Sequence, residues 1–195
     1  HYFTYGVAST QSQTPVTPET IFEIGSLSKT FTAPPATYTA ALGRISPNEH
    51  PGAYMPELAG TAIDKATLLN LGTYTAGGLP LQFPADITDD AQMPAYFHQW
   101  IPDAVPGEQR RYSNPSIGLL GHVVALAMNS SFTDLVQGQV FPELGLKHNF
   151  IEVPQSQMDR HAVDYDPAHG TTHVSPRVPD AHTHGAPDTA AGEAG

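Results

Sequence analysis

Glu23-Ile24-Gly25-Ser26-Leu27-Ser28-Lys29-Thr30-Phe31 is the stretch on which the reading of this 195-residue chain turns. It sets a serine and a lysine three positions apart, and residues so spaced on a helix share a face, with about 5–6 Å between their Cβ atoms. The lysine amine is then within reach of the serine hydroxyl. A helix opening near Ser26 would add partial positive charge that favours the alkoxide. Together these make a nucleophile activated without histidine. The bare pair also reads as a turn of surface helix, since Ser-x-x-Lys arises by chance about once in a couple of hundred residues of ordinary composition.

Tyr112-Ser113-Asn114 supplies a second element. A phenol, with a pKa of about 10 when unperturbed, serves as a general base only if nearby positive charge lowers that value. Lys29 is the obvious source. Asn114 carries both a carbonyl and an amide, so it can hold the lysine and bind a substrate amide. Followed by Pro115, it reads equally as a helix N-cap with proline at the first helical position. The two roles are compatible.

Longer phrases surround these elements. They are Tyr2-Phe3-x-Tyr5-Gly6-Val7-Ala8-Ser9, Ile21-Phe22-Glu23-Ile24-Gly25-Ser26-x-Ser28-Lys29-Thr30-Phe31-Thr32-Ala33, Thr73-Tyr74-Thr75-Ala76-Gly77-Gly78-Leu79-Pro80-Leu81-Gln82-Phe83-Pro84, Arg111-Tyr112-Ser113-Asn114-Pro115-Ser116-Ile117-Gly118-Leu119 and His173-Val174-Ser175-Pro176. On them the chain resembles the class C serine β-lactamases, from Tyr2 through about Pro176. The resemblance implies an α+β fold of the β-lactamase and penicillin-binding-protein kind. It implies β-lactam hydrolysis through an acyl-enzyme on Ser26, with Lys29 handling the proton and Tyr112 as base. Gln82 and Asn114 would bind the substrate's acylamino group. The backbone N–H of Ser26 would be one half of an oxyanion hole, each donor being worth roughly 3–4 kcal/mol in acyl transfer. The partner implied is a small-molecule β-lactam met by a monomer in the periplasm, with no cofactor and no metal.

Three departures from the family stand out. Its Lys-Thr-Gly strand is expected beyond residue 195, because none of Lys29, Lys65 and Lys147 is followed by Thr-Gly or Ser-Gly. The chain thus reads as the first half of a larger protein. Pro34-Pro35 fall where the family has continuous helix, and an interior proline costs about 3 kcal/mol or more, so the nucleophile helix is expected to stop or kink after Ala33. The tail from His182 to Gly195 lacks the likeness. Two other functions therefore stay open: a related serine carboxylesterase or D-peptidase, and a non-catalytic fragment.

A net charge of −11 argues against nucleic acid or an anionic membrane as partner, and no apolar run is long enough to span a bilayer. The aromatic start reads as strand rather than leader. With 19 prolines and 17 glycines, the elements should be short and loop-rich. Expected are a strand over 2–8, a polar connection over 10–20, loop over 44–58, helices over 62–71, 94–101, 115–128 and 132–140 (the last stopped by Pro142), and a short strand over 150–153. This predicts a partial sheet lobe over 1–40, a helix-rich lobe over 41–175 and an irregular tail over 176–195. Of ten histidines, His161, His169, His173, His182 and His184 cluster late, where a Pro/Gly-rich segment suits a solvated loop better than a zinc site. Trp100 with Tyr96 and Phe97 reads as core packing.

Overall fold

A computed structural model describes residues 1–89 and 91–163, with the backbone alone of 165–166 and 170–171. The predicted tail and His169, His173, His182 and His184 lie outside the described residues. From the N-terminus, β1 (Val7–Ser9) and β2 (Thr14–Pro15) pair as an antiparallel hairpin. A 3₁₀ run over Gly25–Phe31 leads into α1 (Ala33–Ala41). Three short 3₁₀ turns within 51–65 precede α2 (Leu68–Thr73), α3 (Met93–Gln99) and α4 (Asn114–Met128). Then α5 (Phe132–Leu135) passes through a π turn, Val136–Val140, into α6 (Phe141–Glu143). A second antiparallel ribbon pairs β3 (Tyr165–Asp166) with β4 (Gly170–Thr171). Helices with small antiparallel ribbons match the expected α+β class.

The nucleophile run stops short as expected, at Phe31, but Pro34-Pro35 open a new helix rather than only ending the old one. The break falls at Thr32, and the prolines occupy the first turn of α1, where their missing N–H has no helical partner to lose and their fixed φ suits a helix start. Pro142 likewise does not stop its helix. In a regular α-helix its ring would meet the carbonyl of Gly138; the π turn ahead of it widens the coil and lets the chain run on to Glu143.

Three other boundaries move for local reasons. The helix expected over 62–71 divides into a 3₁₀ turn and α2, because Thr67 and Asn70 form a reciprocal cap: the Thr67 hydroxyl accepts from the Asn70 N–H, and Asn70 Oδ1 accepts from the Thr67 N–H at 3.0 Å. No strand forms over 150–153, since the N–H groups of Ile151 and Glu152 donate to Gln137 Oε1 at 2.7 and 3.2 Å. The strand expected over 2–8 starts at Val7, as β2 offers only two residues to pair with. Tyr2, Phe3 and Tyr5 stand 82–97% exposed.

The main core gathers Leu58, Ile63, Leu71, Leu79, Phe97, Leu119, Val123 and Val124. Each large apolar side chain taken fully inside contributes about 1.5–3 kcal/mol. α4 is its hub, buried nearly all round from Pro115 to Val124. Tyr96 and Trp100 pack against this core beside buried Phe97, as expected. A second cluster joins Phe132, Val136, Phe141 and Ile151, and Phe31 meets Phe141 edge-on at 5.2 Å. That contact seats the Ser26 segment on the α5–α6 unit. Among the described residues no single helix is long and apolar enough to cross a membrane.

Candidate active site

Ser26 lies in a 3₁₀ run rather than the first turn of an α-helix, with no side chain capping the start. The short run offers little dipole, but it does something the α-helical reading did not anticipate. At three residues per turn, positions i and i+3 eclipse, so Lys29 stands directly over Ser26. Its Nζ donates to Ser26 Oγ at 3.0 Å. Ser26 is exposed and Lys29 half-buried.

Tyr112 reaches the pair from the loop ahead of α4. Lys29 Nζ lies 5.3 Å from the centre of its ring. Burial raises the phenol, but hydrogen bonds from Ser26 and Lys29 and the Lys29 charge outweigh it, and Tyr112 sits below the ordinary phenol value. Its neighbour Tyr74, with ring centres 5.1 Å apart, moves the opposite way. There burial, then Tyr112, raise the phenol, tempered by Arg110, which stacks over the Tyr74 ring at 5.3 Å. Two adjacent phenols are split, one toward ionisation and one held neutral.

Asn114 proves not to be the cap of α4. Ser113 takes that part, its fully buried hydroxyl accepting from the Ser116 N–H at 3.1 Å. This leaves the Asn114 side chain free for other work. Its Nδ2 donates to Gln82 Oε1 at 2.6 Å, and its backbone N–H donates to Leu81 O at 2.9 Å. Asn114 Oδ1 is buried without a partner. The five residues singled out from sequence thus fall into two groups: Ser26, Lys29 and Tyr112 in mutual contact, and Gln82 with Asn114, which follows Tyr112 by two positions in the chain.

The bracing between these groups was missed. Tyr74 ends α2 in the left-handed region at φ 62°, which turns the chain into Thr75–Pro80 and lays its ring on Tyr112. The loop is pinned across its length, with Gly107 N–H donating to Thr75 O at 2.8 Å and Arg111 N–H to Tyr74 O at 2.9 Å. The Arg111 guanidinium donates to Gly78 O at 2.8 Å and pairs with Asp103 at 2.8 Å. Gly78 has φ +90°, and a Cβ there would fall 1.7 Å from Asp103 Oδ1. The Gly77-Gly78 pair was the available signal, because consecutive glycines mark a backbone that other residues cannot adopt.

Among the described residues no three His, Cys, Asp or Glu side chains gather as metal ligands would. His161 is buried and turns Nε2 toward Glu23 Oε1 at 3.8 Å. The Ile21 N–H donates to Arg160 O at 2.9 Å and the Ala162 N–H to Ile21 O at 2.8 Å, which ties this segment to the stretch entering the Ser26 turn.

Comparison with known proteins bears on this arrangement. A beta-lactamase of Pseudomonas fluorescens is 50% identical over 184 residues, which are 94% of this chain and 51% of that protein. The crystal structure of a beta-lactamase/D-alanine carboxypeptidase from Pseudomonas syringae superposes with a TM-score of 0.86 at 40% identity, covering 95% of this chain and 52% of that one. A class C beta-lactamase in complex with cefoxitin gives a TM-score of 0.87 at 38% identity, covering 95% and 52%. The chain spans about half the length of the curated relatives it matches. The Beta-lactamase family model covers residues 1–194, so the tail from His182, expected to fall outside the likeness, belongs almost wholly to the matched span. With that match and class C structures among its neighbours, the chain belongs to the beta-lactamase family.

Proposed function

We propose that this chain carries the acylating half of a serine β-lactamase site. The observation that carries the reading is the Lys29 Nζ to Ser26 Oγ bond of 3.0 Å beneath the lowered phenol of Tyr112. Ser26 gives up its proton to the Tyr112 oxygen, whose phenolate form the Lys29 charge favours, and attacks the lactam carbonyl carbon. The ring C–N bond breaks and Tyr112 returns the proton to the leaving nitrogen. Water then cleaves the Ser26 ester. The Ser26 N–H offers one oxyanion donor.

Substrate binding falls to the amide pair. Because Gln82 accepts through Oε1, it keeps Nε2 as a donor for the C=O of an acylamino group, and Asn114 Nδ2 holds the Gln82 amide in that orientation. On the same reading the protein is an exported, monomeric periplasmic enzyme that needs no cofactor, with the site at the meeting of the 1–40 and 41–175 segments.

A second reading, a D-alanyl peptidase, draws on the carboxypeptidase named in one structural neighbour. Turnover of a chromogenic cephem, a nitrophenyl ester and a D-alanyl-D-alanine peptide separates the two. The expected order places the cephem first, with all activity lost in Ser26→Ala. Peptide turnover above cephem turnover favours the peptidase, and activity surviving in Ser26→Ala removes both.

A further inference from the structure

Tyr74 closes α2 in the left-handed region, at φ 62° and ψ 33°. Glycine usually fills such a position and asparagine sometimes does, because a Cβ there crowds the following carbonyl. Asn129 ends α4 in the same way. Among the described residues Tyr74 is the one aromatic residue at positive φ, and a bulky side chain is held there only when its surroundings sustain the strain. The closure itself uses backbone alone, the Tyr74 N–H donating back to Asn70 O and Leu71 O. Glycine would make the same bonds without strain, so the turn does not explain the tyrosine.

Its contacts do. Three successive residues touch Tyr74. The Arg110 guanidinium lies over its ring at 5.3 Å, the Arg111 N–H donates to its carbonyl at 2.9 Å, and the Tyr112 ring meets its ring with centres 5.1 Å apart and planes tilted by 46°. Tyr74 is itself packed against the main core, whereas Tyr112 stands 37% exposed in the loop ahead of α4. The better-anchored ring thus holds the looser one, and grips the backbone just before it. We propose that Tyr74 is a positioning residue for the base, its ring fixing the attitude of the Tyr112 ring so that Tyr112 stays beside Lys29. This rests on the reading of Tyr112 as the base. The Tyr74 hydroxyl takes no part in the hold. Burial first, then Tyr112, push that phenol above its ordinary value, tempered by Arg110, so it stays protonated where Tyr112 ionises.

Tyr74→Gly relieves the strain, keeps the carbonyl for Arg111 and removes the ring, while Tyr74→Phe removes only the hydroxyl. In the 195-residue chain, Tyr74→Gly is expected to form an adduct with a slowly deacylated β-lactam about 10- to 100-fold more slowly at saturating lactam, the loss that a displaced catalytic group brings. The half-saturating concentration should change little, and Tyr74→Phe should acylate at nearly the parent rate. Ultraviolet titration is a second readout that needs no turnover. Once released, Tyr112 leaves Lys29 and its phenol moves up; a Tyr74 ring that merely shielded it would, on removal, lift burial and move it down. Where Tyr74→Gly does not fold, Tyr74→Leu keeps apolar bulk on the core without the flat face and carries both arms. A Tyr112 phenol that stays or falls in the folded variant overturns the proposal. So does parent-rate acylation by that variant, or a Tyr74→Phe chain as slow as Tyr74→Gly. A parent chain that forms no adduct overturns the acylation reading instead, and the titration alone then decides whether Tyr74 holds Tyr112.

Discussion

Lys29 Nζ stands 5.3 Å from the centre of the Tyr112 ring while donating to Ser26 Oγ, so one cation meets both the proposed nucleophile and the proposed base. The titration of Tyr112 follows from this. Its phenol is lowered from 10.0, so the native state favours the phenolate. The stabilisation is complete above the unfolded-state value and is lost as pH falls through the lowered one. Ultraviolet titration should show one phenol ionising ahead of the others. Lys29→Met removes the cation but leaves the burial, and should move that phenol upward; an unmoved early phenol would mean Lys29 does not set it.

Asp103 occupies the space that a side chain at Gly78 would need. Gly78→Ala combines that overlap with a left-handed φ and is expected to cost about 3–5 kcal/mol by denaturant unfolding. In an Asp103→Ala background only the backbone strain remains, about 1–3 kcal/mol. The double-mutant cycle therefore has a coupling energy well away from zero. Additive losses would show that Asp103 and Gly78 do not oppose each other.

Ser113 closes the start of α4 and so releases Asn114 for Gln82. Ser113→Ala should lower stability by about 1 kcal/mol, the usual worth of a serine N-cap. Asn114→Ala leaves the cap intact, so its effect should fall on the lactam acylation rate more than on the unfolding midpoint. A larger stability loss in Asn114→Ala than in Ser113→Ala would return the capping role to Asn114.

Residue spacing made the candidate site legible before the fold. Ser26 and Lys29 are neighbours in any helical turn, and the Tyr112-Ser113-Asn114 tripeptide adjoins a helix whose apolar period was plain at Ile117, Leu120 and Val124. What pattern reasoning missed lies in backbone geometry and long-range contacts. The 3₁₀ character of Gly25–Phe31 has no marker in its own residues, and the run ends on a ring contact with Phe141 far along the chain. Pro142 was read as a stop because the π turn that admits it has no marker of its own in the sequence. Phe150–Val153 is apolar enough to read as a short strand, yet the N–H groups of Ile151 and Glu152 are taken by Gln137, fourteen residues upstream of Ile151. The Arg111, Asp103 and Gly78 brace joins positions that no local period connects.

Intact-mass spectrometry after exposure to a slowly deacylated β-lactam tests the central claim most directly, with Ser26→Ala beside it. The account predicts an adduct of one lactam mass on the parent chain and none on the variant. A folded parent chain that gains no adduct, or a Ser26→Ala chain that gains the same one, would contradict the assignment of Ser26 as an activated nucleophile.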